Sequence, residues 1–218
     1  EDFTAYPRTL AQDEALLAEQ GLVHLIFAPE EKDMYPFGVE NAVKLGMPDL
    51  SMELCGANRP GHFNGVASVV LRFINLVSPD VLVLGEKDYQ QLILLKRMVR
   101  DLQLPVQVSS GIIHREPDGL AMSTRNQYLS LRERQVAPRL HKELERLSEA
   151  LKAGYQNSQA LETDASAALE SVGFKPEYVE VRRSIDLSRP SDLDAAEGLI
   201  VMASAWVGRT RLIDNVQV

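Results

Sequence analysis

The 218 residues hold one cysteine, Cys55, so no disulfide can form within the chain, and such sparing use of cysteine implies a reducing, cytoplasmic compartment. No run approaches the ~18 apolar residues of a bilayer span, which argues against a helical membrane protein. Net positive charge is also lacking: 23 Lys and Arg stand against 31 Asp and Glu, a formal charge of −8. That balance argues against nucleic acid or an anionic membrane as the main partner, but it leaves room for a small basic pocket that takes a nucleotide. There is no Walker A pattern, no metal-spaced cluster of Cys and His, and no Gly-x-Ser-x-Gly elbow. Internal repeats and low-complexity tracts are missing too. The opening Glu1-Asp2-Phe3-Thr4 is neither a signal nor a transit peptide, and without an initiator methionine the chain is expected to start inside a longer protein.

What is present is an ordinary globular balance, 45% apolar and 25% charged, in a chain long enough for one large or two small domains. The chain is organised around Val81-Leu82-Val83-Leu84-Gly85-Glu86-Lys87-Asp88-Tyr89-Gln90-Gln91-Leu92. The four aliphatic residues predict a strand buried on both faces. Glycine and charge follow, and then Leu92, Leu94, Leu95, Met98 and Val99 recur with helical period. In open α/β sheets ligands sit beyond the carboxyl ends of such strands, where Lys87 would place a cation. Asp88 is positioned to cap the helix, whose first free N–H groups favour an anion. A charged surface turn is the plainer reading of the same residues.

Read in order, Tyr6-Pro7-Arg8-Thr9 breaks any earlier element, and a helix is expected over 10–20, with Thr9 as N-cap and Gly21 as its stop. Residues 22–28 predict a strand, with His24 as a satisfied core histidine rather than a ligand. Residues 39–50 read as irregular or a short edge strand. A long helix opens in Arg59-Pro60-Gly61-His62-Phe63, buries Val66, Val69, Val70, Phe73, Ile74 and Val77, and ends at Ser78-Pro79-Asp80. The strand at Val81, a helix over 90–102 and a strand over 105–108 continued by 111–113 complete a parallel, doubly wound pattern. From Ser130 the character changes. Helices are expected over 131–153 and 158–172, then strands at 178–181, 199–205 and 211–215, which together suggest a small α+β domain. The boundary falls near 126–130, giving domains 1–127 and 128–218.

Chemistry is read at a few places. Lys87 stands at a strand end, while Ser123, Thr124 and Arg125 form a donor-rich stretch suited to phosphate oxygens. A solvated loop feeding a helix would look similar. Together these cations would stabilise charge on a transferring phosphoryl group. Gln90 and Gln91 are amides able to hydrogen-bond a polar substrate, or else a plain solvated helix start. His62 lines a pocket or caps its helix. Asp13 is a candidate metal-side carboxylate whose plainer reading is a solvated helix residue.

The stretch Gly85-Glu86-Lys87-Asp88-Tyr89-Gln90-Gln91-Leu92, with Arg59-Pro60-Gly61-His62-Phe63 and Asp118-Gly119-Leu120-Ala121-Met122-Ser123-Thr124-Arg125-Asn126, resembles the pantothenate synthetase (pantoate–β-alanine ligase) family. Tyr6-Pro7-Arg8-Thr9 and Arg211-Leu212-Ile213-Asp214-Asn215 fit as well. The resemblance spans essentially the whole chain. It implies an α/β fold, a Rossmann-like doubly wound parallel sheet of the HIGH-type nucleotidyltransferase superfamily, with a small C-terminal α+β domain. It also implies a reaction. Pantoate carboxylate attacks the α-phosphate of ATP to give pantoyl adenylate and pyrophosphate, and the β-alanine amine then displaces AMP. Mg2+ accompanies the nucleotide, and a homodimer is expected. Carried over by position, Gly85, Glu86, Lys87 and Asp88 resemble the ATP-holding stretch, and Gln91 resembles the pantoate-binding glutamine. His114 stands at a nucleotide contact. Met122, Ser123, Thr124 and Arg125 resemble the phosphate-binding loop, with Thr124 where a serine is usual. Lys87 and Arg125 are the expected catalytic cations.

The resemblance further implies an N-terminal segment bearing the first two sheet strands, a His-x-Gly-His motif and a second substrate glutamine. No His-x-Gly-His occurs among His24, His62, His114 and His141. On that reading these residues alone would leave a gap in the sheet, bind nucleotide weakly and not make pantothenate. The other readings are an adenylyl-transferring ligase for a different acid, and an inactive fragment that only dimerises or binds nucleotide.

Overall fold

The computed structural model describes residues 9–191 and 196–218. The expected break at Tyr6-Pro7-Arg8 lies outside them, as does the start of the 1–127 domain. By compactness the chain divides into residues up to Val43 and residues from Lys44 to Val218.

The first unit holds α1 (Leu10–Gln20) and α2 (Glu31–Met34). Gly21 stops α1 in the left-handed region at φ 64°, as expected. Thr9 does not cap α1 with its side chain. Its hydroxyl turns forward and donates to Asp13 at 3.2 Å. Residues 22–28 form no strand, which corrects the sequence reading: Leu22 and Leu25 are exposed, and so is His24, expected in a core. Alternating or apolar residues make a strand only when a neighbour takes up their backbone N–H and C=O groups, and no described segment does so here.

The second unit begins with a 3-10 turn at Asp49–Met52, α3 (Cys55–Asn58) and α4 (His62–Val77). It continues through β1 (Val81–Gly85), a 3-10 turn at Glu86–Asp88, α5 (Tyr89–Asp101) and β2 (Gln107–Gly111). β1 and β2 pair in parallel, from Val81 opposite Gln107 to Gly85 opposite Gly111. Leu82, Leu84, Val106 and Val108 turn to Ala67 and Ile74 of α4 and to Leu95, Met98 and Val99 of α5. That is the crossover geometry of a parallel α/β unit. Val81 and Val83 remain exposed, so β1 is covered on one face rather than both. Helices lie against that face alone among the described elements.

After β2 the chain folds back on itself, with Arg115 bridged to Ala121, and enters a 3-10 turn at Thr124–Tyr128. The single helix expected over 131–153 is two, α6 (Leu131–Val136) and α7 (Arg139–Lys152). Pro138 has no N–H for the ladder and its ring crowds the preceding turn, so the helix breaks there. α8 (Ser158–Ser171) precedes β3 (Phe174–Arg183), β4 (Leu199–Val207) and β5 (Thr210–Gln217). These strands form an antiparallel sheet in the order β3-β4-β5. One sheet face meets Leu140, Leu144 and Leu147 of α7 and Leu161, Ala165 and Leu169 of α8. Leu144 and Leu147 are 0% exposed, so truncating either to alanine would cost about 2–5 kcal/mol. The opposite face presents Ile200 and Met202 to Leu54, Tyr89 and Leu92. The sheet is therefore docked on the beginning of α5, and that docking positions the site.

Candidate active site

At the carboxyl end of β1 the extended Gly85 leads into the Glu86–Asp88 turn, and α5 starts at Tyr89. This turn, the start of α4, and strands β3 to β5 border a small cleft. Arg59, His62, Lys87, Asp88, Gln91 and Arg211 line it. Lys87 and Gln91, separated by one helical turn, therefore share one cavity. Asp88 does not cap α5 with its side chain.

The two neighbouring amides differ. Gln90 is buried, and its Nε2 donates to the carbonyls of Leu50 and Glu53, both at 2.8 Å, while its Oε1 accepts from Cys55 N at 3.0 Å. With these three backbone bonds Gln90 is a brace for the 49–55 segment rather than a substrate ligand. The Gln91 side chain makes no hydrogen bond among the described residues and keeps its amide for the cleft.

His62 is the first residue of α4 and does not cap it, since Gly61 holds the N-cap position. Its Nε2 lies 2.9 Å from Arg59 Nη1. A guanidinium only donates, so Nε2 accepts and the ring proton is assigned to Nδ1. Deeper in the cleft, Arg211 donates through Nε to Glu177 at 2.9 Å and through Nη2 to Cys55 Sγ at 3.4 Å. Burial pulls the Arg211 pKa down, but Glu177 and Cys55 more than offset it and hold the guanidinium charged. Burial likewise pushes the Glu177 carboxyl up, and hydrogen bonds from Arg211, Trp206 and Ser204 bring it below its usual range.

The second expected segment lies in the hairpin after β2. The exposed His114 accepts from Met122 N through its carbonyl at 2.9 Å. Ser123 accepts from Arg125 N at 3.3 Å and so starts the 3-10 turn. Met122 and Thr124 are exposed. Arg125 is not among the residues that line the cleft. What connects the two segments is β5, which packs against both the Glu86–Asp88 turn and the Thr124–Tyr128 turn.

The sequence reading placed a strand at 211–215 and counted it in the resemblance, but gave Arg115, His141, Asp214 and Asn215 no role at the site. Arg115 grips Asp214 with both terminal nitrogens, at 2.7 and 2.9 Å. Asn215 Nδ2 donates to the carbonyls of Glu86 at 2.9 Å and Lys87 at 3.1 Å. His141 Nδ1 stands 3.4 Å from Asp214, within ion-pair reach but without a hydrogen bond. Burial raises the Asp214 pKa, yet His141 and Arg115 together hold it below the usual carboxylate range. The available hint was the adjacent pair Asp214-Asn215 following the apolar Leu212-Ile213 in a strand, where such residues are buried only when partnered. No group of three or more His, Cys, Asp or Glu able to hold a metal occurs among the described residues, and Asp13 belongs to the exposed α1.

A family model described as pantoate-beta-alanine ligase matches residues 1–217. The pantothenate synthetase of Pseudomonas entomophila (strain L48) is 47% identical over 216 residues, which cover 99% of this chain and 74% of that protein. That of Alkalilimnicola ehrlichii (strain ATCC BAA-1101 / DSM 17681 / MLHE-1) is 46% identical over 217 residues, covering 100% of this chain and 75% of the relative. The crystal structure of pantothenate synthetase from Thermus thermophilus superposes with a TM-score of 0.91 at 41% identity, covering 100% of this chain and 77% of that one. Pantoate-beta-alanine ligase from Francisella tularensis, crystallised with beta-gamma ATP and beta-alanine, gives 0.78 at 30% identity, with 99% and 72% covered. A family match over nearly every residue, joined to a shared fold, places the chain in the pantoate–β-alanine ligase family.

Proposed function

We infer that the cleft beside Lys87 is where this chain carries out the reaction of its family, the ATP-dependent joining of pantoate to β-alanine. The observation that carries the reading is the meeting of Lys87 and Gln91 in one cavity of a chain that matches the ligase family from residue 1 to 217. In the first step a pantoate carboxylate oxygen bonds to the α-phosphorus of ATP, the bond to the bridging oxygen breaks, and pyrophosphate leaves with its electron pair. In the second the β-alanine amine bonds to the acyl carbon, AMP leaves, and the nitrogen gives up a proton. Negative charge grows on the phosphoryl oxygens during the first step, and a fixed cation in a partly dry cleft stabilises it most where it grows. Lys87 is that cation. Gln91 orients pantoate, and the backbone of Gly85, Glu86, Lys87 and Asp88 follows the nucleotide.

His114, Met122, Ser123, Thr124 and Arg125 are assigned to the phosphate side. β5 supports this assignment, because it braces their segment and the Lys87 turn alike. Mg2+ fits as a counter-ion carried in on the triphosphate, since a hard cation of that size is commonly held by phosphate oxygens with few protein ligands. It would neutralise charge on the leaving pyrophosphate. We also assign the functional division to 1–127 and 128–218, following the change from parallel to antiparallel sheet. No described helix is long and apolar enough to cross a membrane, and the lone cysteine fits a cytoplasmic setting. Val77, expected on the buried face of α4, is exposed beside Leu76 at the helix end, and this apolar pair supports pairing of two copies, which sedimentation would test.

The test of the reading is AMP release from pantoate, β-alanine and ATP. Lys87→Met is expected to lower kcat by about 10²–10³-fold, the size of loss seen when one transition-state donor is removed. Undiminished turnover in that variant would overturn the site, and full turnover by these 218 residues alone would overturn the expectation that they do not make pantothenate unaided.

A further inference from the structure

We propose that Asp214 and Asn215 are positioning residues that fix the Lys87 turn and the Met122–Arg125 segment at one spacing. The proposal rests on the reading above, in which those two segments hold the nucleotide.

The two side chains are consecutive on β5 and act in different directions. Asn215 spends both N–H groups of its amide on the main chain of the turn, bonding the carbonyls of Glu86 and Lys87 at 2.9 and 3.1 Å. Asp214 spends its carboxylate on Arg115, the residue that opens the hairpin leading to Met122. Arg115 also reaches the Gly119 carbonyl at 3.1 Å and the Asn215 carbonyl at 3.3 Å, so one side chain ties the opening of the hairpin to its turn and to β5 itself. Asp214 accepts from Asn215 N at 2.8 Å, which couples the two arms. Both residues are at most 4% exposed.

A buried charge pair is a poor way to gain stability, because desolvating the ions consumes most of the attraction. Its return is direction. The Arg115 fork and the Asn215 amide each have a narrow angular optimum, and both are anchored on a strand paired along its length with β4. A cation on one segment and donors on the other must meet the same phosphate within a few tenths of an ångström. An error of about 1 Å in such an arrangement costs on the order of 10²-fold in rate.

The experiment measures ATP–pyrophosphate exchange with pantoate in the full-length protein, at a temperature where melting curves show each variant folded. Asn215→Ala is expected to lower kcat for adenylate formation by about 10²-fold, with KM for pantoate within roughly threefold of the parent. Arg115→Gln and Asp214→Asn are expected to give similar losses, and their double variant no more than either alone, because they break one arm. A purely structural role would lower the melting midpoint and leave kcat of the folded fraction unchanged, and that result overturns the proposal. Should Asp214→Asn not fold, Arg115→Gln tests the same arm from its more exposed end. Loss of exchange in Lys87→Met with normal exchange in Asn215→Ala removes this inference alone. Normal exchange in Lys87→Met removes the reading of the site on which it rests.

Discussion

The thiol of Cys55 and the phenol of Tyr178 meet at 3.0 Å across 123 positions of sequence, on the wall of the cleft. Burial and the adjoining Cys55 hold the Tyr178 pKa well above its ordinary value, so the hydroxyl stays protonated. With Arg211 already donating to Cys55 Sγ, the contact joins α3, β3 and β5 in one buried polar group.

Tyr178→Phe removes one hydrogen bond from that group and leaves the ring in place. The expected cost is about 1 kcal/mol of stability, the usual net worth of one such bond. Urea unfolding checks it. Because the hydroxyl is spent on Cys55 rather than on substrate, KM for pantoate and ATP should hold. A KM rise of about tenfold without loss of stability would place the phenol in the binding site instead.

Gln90 and Gln91 make a sharper contrast. Gln90→Ala leaves two backbone carbonyls and one N–H of the 49–55 segment without their partner, which should cost about 2–4 kcal/mol and lower the melting midpoint by several degrees. Gln91→Ala breaks nothing within the described residues, so the midpoint should stay put while KM for pantoate rises. Parallel melting and kinetic measurements separate the two. Equal destabilisation would mean that Gln91 is structural as well.

The same pair marks where local pattern stops being informative. The strand, turn and helix at 81–101 are legible because apolar period and a charged turn are local properties. Placing Lys87 and Gln91 together follows from the helical period. The divergence of Gln90 from Gln91 does not follow, since it depends on the 49–55 segment lying beside α5. The 22–28 stretch misleads for a related reason: its pattern is local, whereas a strand is defined by its neighbour. Pro138 is a legible helix breaker, yet the apolar period on either side of it masks the break. β3 runs longer than expected because its start, Lys175-Pro176, looks unlike a strand and carries a register shift before Tyr178. Arg115, Asp214 and Asn215 act over 99 to 129 positions, and no local pattern announces such a reach.

The hairpin offers a steric test. Gly119 has φ +94°, and a Cβ built there would lie 3.0 Å from His141 Cδ2. Gly119→Ala must strain the backbone and press on the ring that faces Asp214. A loss of about 1–3 kcal/mol is expected, together with a fall in adenylate formation, because the Arg115 arm is anchored on the Gly119 carbonyl. Full stability in thermal melts would show that the loop has room to relax.

Two carboxylates held among buried partners contribute to stability in acid. Asp214 and Glu177 both have folded pKa values below the ordinary 3.8 and 4.5. The fold therefore binds fewer protons than the unfolded chain in that region. Their stabilisation is complete above those ordinary values and is lost as pH falls through the lower, folded ones. Glu162 runs the other way: burial raises it from 4.5, partly offset by Val181 N and Arg189. Its contribution falls as pH rises above 4.5. Glu177→Gln leaves the Arg211 charge buried without its carboxylate and is expected to cost about 3 kcal/mol at neutral pH. That cost should shrink as pH drops below the ordinary glutamate value, where the unfolded parent takes up a proton that the folded one still refuses, and vanish below the lower, folded value. Glu162→Gln should cost less at neutral pH, because the buried site already favours the neutral form. Urea midpoints from about pH 3 to about pH 8 decide both, and a Glu177→Gln cost that stays flat across that range would mean that the Glu177 charge contributes nothing to holding Arg211.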